Sequence, residues 1–156
     1  NVARSPWKER IEVVQADFKE FRSLDKFDVI VSNPPYFVDS LECPDRQRNS
    51  ARHTDSLTYE DLLAGVSGLL AEEGTFTLVI PADVADKVKA VASAQRLQAV
   101  RQLNVITKPG GLPKRTLITF SFSGGECVVE ELLTEVARHQ YSDEYIALTR
   151  EYYLKM

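Results

Sequence analysis

Short runs of apolar, β-branched residues alternate along this chain with stretches of helical period, and that alternation admits few folds. A strand that returns through a helix to lie beside its neighbour makes a βαβ unit, and repeating the unit builds an open, mostly parallel sheet of the α/β class. The first runs are Ile11-Glu12-Val13-Val14, leading to Asp17, and Phe27-Asp28-Val29-Ile30-Val31, leading to Asn33; residues 75–80 form the third. A helix precedes that third run. Thr58 and Asp61 make a capping box, Leu62, Leu63, Val66, Leu69 and Leu70 share one face, and Gly74 is expected to stop it. Pro81 and Asp83 open a second helix with Val84, Val88 and Val91 inward and Asp86, Lys87 and Lys89 outward. Residues 97–106 and 115–122 read as strands joined by a Pro- and Gly-rich connection, which predicts an antiparallel hairpin at one sheet edge. Residues 127–133 suit either a strand or a helix, and Ser142 caps a helix predicted over residues 143–153.

With 156 residues, 44% of them apolar, the chain supports one core and one domain. No segment approaches the roughly 18 uninterrupted apolar residues of a membrane span, and residues 1–10 lack a signal-peptide layout, so a soluble, cytoplasmic protein is expected. Cys43 and Cys127 lie far apart, outside metal-ligand spacing, and read as free thiols. No metal is expected. A formal net charge of −4 gives no general attraction to a polyanion, so contact with a nucleic acid requires a local patch. Two connections could supply one. Residues 39–56 carry Arg46, Arg48, Arg52 and His53, and residues 107–115 carry Lys108, Lys114 and Arg115.

The residues richest in chemistry are Asn33-Pro34-Pro35-Tyr36, directly after an apolar strand. Open α/β sheets bind their ligands outside the carboxyl ends of the strands, where this tetrapeptide falls. Pro34 keeps Asn33 out of the helical region and Pro35 stiffens the next bond, so the loop holds one extended shape. An amino group conjugated to an aromatic base is a poor nucleophile because its lone pair is delocalised. If the Asn33 side-chain oxygen and the Pro34 carbonyl each accept one of its N–H groups, the nitrogen is drawn toward tetrahedral geometry and its lone pair is freed. Tyr36 would stack on the base once it leaves its own stack.

Asn33-Pro34-Pro35-Tyr36 resembles the catalytic loop of class I amino-group methyltransferases. More of the chain resembles one branch, the bacterial tRNA adenine methyltransferases acting beside the anticodon of valine tRNA. The supporting segments are Asn1-Val2-Ala3-Arg4-Ser5-Pro6-Trp7, Arg10-Ile11, Ala51-Arg52-His53-Thr54-Asp55-Ser56-Leu57, Pro113-Lys114-Arg115, Tyr141-Ser142-Asp143-Glu144-Tyr145 and Tyr152-Tyr153-Leu154. The resemblance implies a Rossmann-like sheet and methyl transfer from S-adenosylmethionine to the N6 amino group of an adenine in tRNA. It implies catalytic roles for Asn33, Pro34, Pro35 and Tyr36, and cofactor contacts from Asp17, Phe18 and Asn33. Tyr36, His53, Lys114 and Arg115 would meet the tRNA. Asp17 by its residue type also suits a helix cap or turn. Other readings are methylation of a protein glutamine amide, whose planar group fits the same loop, and a non-catalytic RNA-binding remnant.

The chain departs from the family in one respect: no glycine-rich loop for the cofactor's methionine part and no ribose-binding acid precede Asp17. Residues 1–156 are therefore expected to be the C-terminal portion of a single class I methyltransferase domain, lacking its first two strands, with residues 1–9 resembling the helix after the second. Residues 27–31 should then pair with residues 75–80 on one side. The other edge should be bare, covered by another chain, or re-paired with the run from Ile11, and a bare edge invites self-association.

Overall fold

The computed structural model describes residues 1–34 and 57–153. Strand β1 (Phe27–Ser32) leads toward helix α1 (Tyr59–Leu69), whose first turn is closed by the capping box: the Thr58 hydroxyl accepts the Asp61 N–H at 3.1 Å, and the Asp61 carboxylate accepts the Thr58 N–H at 3.3 Å. Strand β2 (Leu70–Pro81) follows at once, then a 3₁₀ turn (Ala82–Val84) and helix α2 (Ala85–Ala94). Strands β3 (Gln98–Ile106), β4 (Arg115–Ser121) and β5 (Val128–Leu133) complete a five-stranded sheet of order β1-β2-β4-β3-β5. β1 runs parallel to β2 and β3 parallel to β5, while β4 is antiparallel to both neighbours. Four strands thus share one direction and β4 alone is reversed. A separate two-stranded hairpin, β6 (Glu135–Ala137) and β7 (Gln140–Tyr141), precedes helix α3 (Asp143–Thr149).

The core lies on one face of the sheet. Along β2 and β4 alternate residues are buried, and Phe76, Leu78, Ile80, Ile118 and Phe120 meet Leu63 and Val66 of α1 and Val88 and Ala92 of α2, all without solvent exposure. Each large side chain so placed contributes about 1.5–3 kcal/mol, which makes this face the main source of stability. The opposite face is only partly covered. Thr77 and Thr119 share a hydroxyl hydrogen bond there at 2.9 Å, and Val29 and Val31 on β1 are 64% and 72% exposed. Among the described residues β1 pairs with β2 alone: the run from Ile11 is not re-paired with its outer edge, and Val14, Ala16, Phe18 and Phe21 line a groove with β1 without forming a ladder.

Several expectations are corrected. Ile11-Glu12-Val13-Val14 forms no strand: no described strand offers it a ladder, and an isolated extended segment leaves its own N–H and C=O groups to water. The helix expected over residues 1–9 is replaced by two 3₁₀ turns (Val2–Arg4 and Lys8–Arg10), with Pro6 between them and no buried residue in either. Gly74 does not stop α1, which ends at Leu69. Instead β2 bulges between Leu70 and Thr75 against β1, and a Cβ at Gly74 would lie 2.9 Å from the Phe27 carbonyl oxygen, so glycine permits a close approach of two backbones. The β3–β4 hairpin is not at an edge: residues 128–133 resolve to strand, pair with β3 and take the edge themselves. Ser142 does cap α3, accepting the Tyr145 N–H at 3.1 Å, but the helix stops at Thr149, four residues short of the predicted end.

Candidate active site

Strand direction decides which residues meet. The register pairs Ser32 with Leu78, Pro81 with Arg115, Arg115 with Val105, and Ile106 with Leu133, so the carboxyl ends of β1, β2, β3 and β5 and the start of β4 form one rim. Asn33 and Pro34 leave β1 at this rim. Asn33 is exposed and Pro34 buried, so the chain leaves β1 with the proline packed and the asparagine open to solvent. With one parallel strand behind it and proline ahead, Asn33 has little conformational freedom left. That is the arrangement an amide needs to present one oxygen in a set direction.

Lys114 and Arg115 stand on the same rim. They lie two strands from β1, about 10 Å at ordinary strand spacing. The Lys114 backbone is tied on both sides, its N–H donating to Val105 O at 3.0 Å and its carbonyl accepting the Ala82 N–H at 3.2 Å, while its side chain is exposed. The fold therefore brings Asn33, Pro34, Lys114 and Arg115 to one end of the sheet. Pro35, Tyr36, His53, Arg46, Arg48, Arg52 and Cys43 lie outside the described residues.

Asp17 and Phe18 belong to a tight turn. The Asp17 carbonyl accepts the Glu20 and Phe21 N–H groups at 3.0 and 2.9 Å, and its Oδ1 accepts the Lys19 N–H at 2.9 Å. The turn-residue role that its type suggests is thus present, and it occupies one carboxylate oxygen of an exposed side chain. Phe18 is half-buried against α1, where Gly65 leaves room for it: a Cβ at position 65 would sit 2.5 Å from the Phe18 ring. An exposed carboxylate beside a fixed aromatic ring fits the amino edge and face of an adenine. The groove next to Phe18, about 390 Å³, is less suited to one: its walls are almost wholly apolar, Phe27, Val29, Ile30 and Val31 along β1 facing Val14, Ala16 and Phe21.

Sequence reasoning missed a cluster of tyrosines near the end of the chain. The Tyr141 and Tyr145 rings lie 5.3 Å apart at 44°, and the Tyr145 and Tyr153 hydroxyls share a hydrogen bond at 3.2 Å. That bond, with some burial, pushes the Tyr145 phenol up to about 12. The recurrence of tyrosine at 141, 145, 152 and 153 was the available signal. Among the described residues no helix is long and apolar enough to cross a membrane, and no group of His, Cys, Asp or Glu is placed to hold a metal ion.

Comparison with known proteins adds the following. Residues 1–108 match UPF0020, the RMKL-like methyltransferase domain. A protein of Bacteroides thetaiotaomicron named tRNA1(Val) (adenine(37)-N6)-methyltransferase is 72% identical over 156 residues, all of this chain and 66% of that protein. Its namesake in Bacteroides fragilis strain YCH46 is 63% identical, with 67% of its length covered, and that of Escherichia coli O157:H7 is 37% identical, with 64% covered. The chain thus spans about two thirds of the length of the curated relatives it matches. Among solved structures, an Agrobacterium tumefaciens protein described as a predicted O-methyltransferase superposes with a TM-score of 0.66 at 19% identity, over 91% of this chain and 64% of the other. That likeness bears on the fold alone.

Proposed function

The chain belongs to the RMKL-like methyltransferase domain family, and on that premise we propose that it methylates the N6 amino group of an adenine in tRNA, at position 37 of tRNA1(Val) as its relatives are named. S-adenosylmethionine would supply an electrophilic methyl group on a sulfonium. The residues of this chain do the rest by positioning. Asn33 Oδ1 and the Pro34 carbonyl oxygen accept the two N–H groups of the adenine amine, so its lone pair turns from the ring toward the donor. Tyr36 stacks on the flipped base, and the proton released after bond formation passes to water. Asp17 and Phe18 take the adenine of the cofactor, the carboxylate on its amino group and the ring on its face.

One observation carries this reading: exposed Asn33 follows the carboxyl end of a parallel strand and rests on a buried proline, on the rim that also bears Lys114 and Arg115. The test is transfer of labelled methyl from S-adenosylmethionine to unmodified valine tRNA by the full-length protein. Label appearing instead on a protein glutamine, with none on tRNA, would refute it.

Two outcomes follow. Replacing Lys114 and Arg115 together by alanine should weaken tRNA binding and flatten its salt dependence by roughly one to two units, because each phosphate contact adds about 0.7–0.9 to the slope. Affinity for S-adenosylmethionine should stay as it was; its loss would make the pair structural. Gly65→Ala, by contrast, should act on the cofactor. The new methyl group displaces the Phe18 ring, so S-adenosylmethionine binding should fall by roughly tenfold, the scale of one lost aromatic stack, with the tRNA salt slope unchanged. Calorimetry with cofactor reads this directly, and unchanged affinity would remove Phe18 from the site.

A further inference from the structure

β5 ends at Leu133 on the Asn33 rim, and the chain then runs on past the sheet. Its next residues are bound to the connection after β3. Thr134 donates its N–H to Ile106 O at 2.8 Å and its hydroxyl to Thr107 O at 3.2 Å, and the Glu135 N–H reaches Thr107 O at 3.1 Å. The β6–β7 hairpin therefore stands on the connection that carries Lys108, Lys114 and, at its end, Arg115. Ala137 pairs with Gln140, which leaves Arg138 and His139 as its two-residue turn. Both are exposed, and His139 holds a φ of 60°, a region that side chains with a Cβ seldom adopt. Arg138 Nε donates to His139 Nε2 at 3.3 Å, so the two side chains are held together at the tip. Behind the tip Tyr141 leans on Tyr145, which is tied to Tyr153, and Tyr141 and Tyr153 remain 42% and 52% exposed. Acids stand here too: Glu135 is the register partner of Tyr141 across the hairpin, Asp143 and Glu144 occupy the first turn of α3, and Glu144 lines the cleft between α3 and the sheet.

We propose that the β6–β7 hairpin and the tyrosines behind it form an RNA-binding arm, with Arg138 on a phosphate and the Tyr141 face on an unpaired base outside the reactive pocket. This rests on the tRNA reading above and extends it to residues that reading does not use. Exposed aromatic rings interleaved with cations are the recurring means of holding single-stranded nucleic acid, because every base offers a face to stack on and every nucleotide a charge. A duplex keeps those faces covered. The arm thus suits the looped-out nucleotides around a target base, and the Tyr145–Tyr153 bond keeps the platform in place before RNA arrives.

The experiment uses the full-length protein, measuring steady-state methylation of valine tRNA together with binding of a labelled anticodon stem-loop. Arg138→Ala with Tyr141→Ala should raise KM for tRNA by roughly tenfold or more, leave kcat at saturating tRNA and cofactor affinity within about twofold, and flatten the salt slope by about 0.7. Tyr141→Phe keeps the ring and should bind as the wild type does. Should the double variant fail to fold, Arg138→Ala alone, at an exposed turn, decides by its salt slope. An unchanged KM and slope in an active enzyme overturns the arm. Equal loss in Tyr141→Phe, or RNA binding unaffected while the tip is shielded in a dimer detected by sedimentation, overturns it as well. If the wild type transfers no methyl group to tRNA, the proposed function itself has failed, and the two failures are thereby told apart.

Discussion

Alanine at position 33 is expected to lower methyl transfer to tRNA by roughly two to three orders of magnitude, the scale seen when one pre-organised polar group is removed from a reacting centre. The loss should fall on kcat far more than on cofactor affinity, because the hydrogen bond in question forms to the acceptor amine as it becomes tetrahedral. Pro34 is buried and Asn33 exposed, so the substitution removes an amide without opening the core, and the folded state should be retained. Single-turnover rates with bound tRNA, set beside S-adenosylmethionine titrations, separate the two quantities. Turnover near the wild-type value would show that Asn33 is merely the end of a strand.

Phe76→Ala should have the largest effect on stability, about 3–5 kcal/mol, against a total that for most domains is about 5–15 kcal/mol. Phe76 has no solvent exposure, pairs with Ile30 on β1 and Phe120 on β4, and its ring stacks on Phe120 at a centroid distance of 6.2 Å. It therefore joins the strand that carries Asn33 to the rest of the sheet. Denaturant unfolding should show a large fall in midpoint, and the surviving folded fraction should have lost activity with it. Val31→Ala, on the exposed face of β1, is the control and should change stability little. If the two variants unfold alike, the core has been assigned to the wrong face.

Part of the candidate site was legible because its geometry is local. A proline fixes its own φ and restricts its predecessor, so Asn33-Pro34 needed nothing beyond an apolar strand before it to be recognisable. The capping box at Thr58 and Asp61 was equally local: two residues three positions apart and two hydrogen bonds decide it. The apolar faces of α1 and α2 followed from period alone, and Leu62, Leu63, Val66 and Val88 are buried as that period required. By contrast, Ile11-Glu12-Val13-Val14 shows the limit of the method. Its residues favour a strand, but a strand exists only with a partner, and β propensity is a statement about neighbours. Gly74 failed for a related reason: the same residue serves a helix end or a close backbone approach, and only the position of Phe27 distinguishes them.

What the sequence determined by itself, then, was everything that depends on residues within a turn or two of one another: the α/β class, the helix caps and faces, and the restriction that Pro34 places on Asn33. The tertiary structure alone decided which of these pieces meet. Reversal of β4 puts Arg115 opposite Pro81, and placing β5 outside β3 moves the hairpin away from the edge and carries residues 134–141 past the rim. Strand order sets such distances, and it is chosen by the burial of Phe76, Phe120, Leu63 and Val88 against one another. These are contacts between residues tens of positions apart, whose cost in chain entropy and gain in buried surface appear only once the whole sheet is assembled.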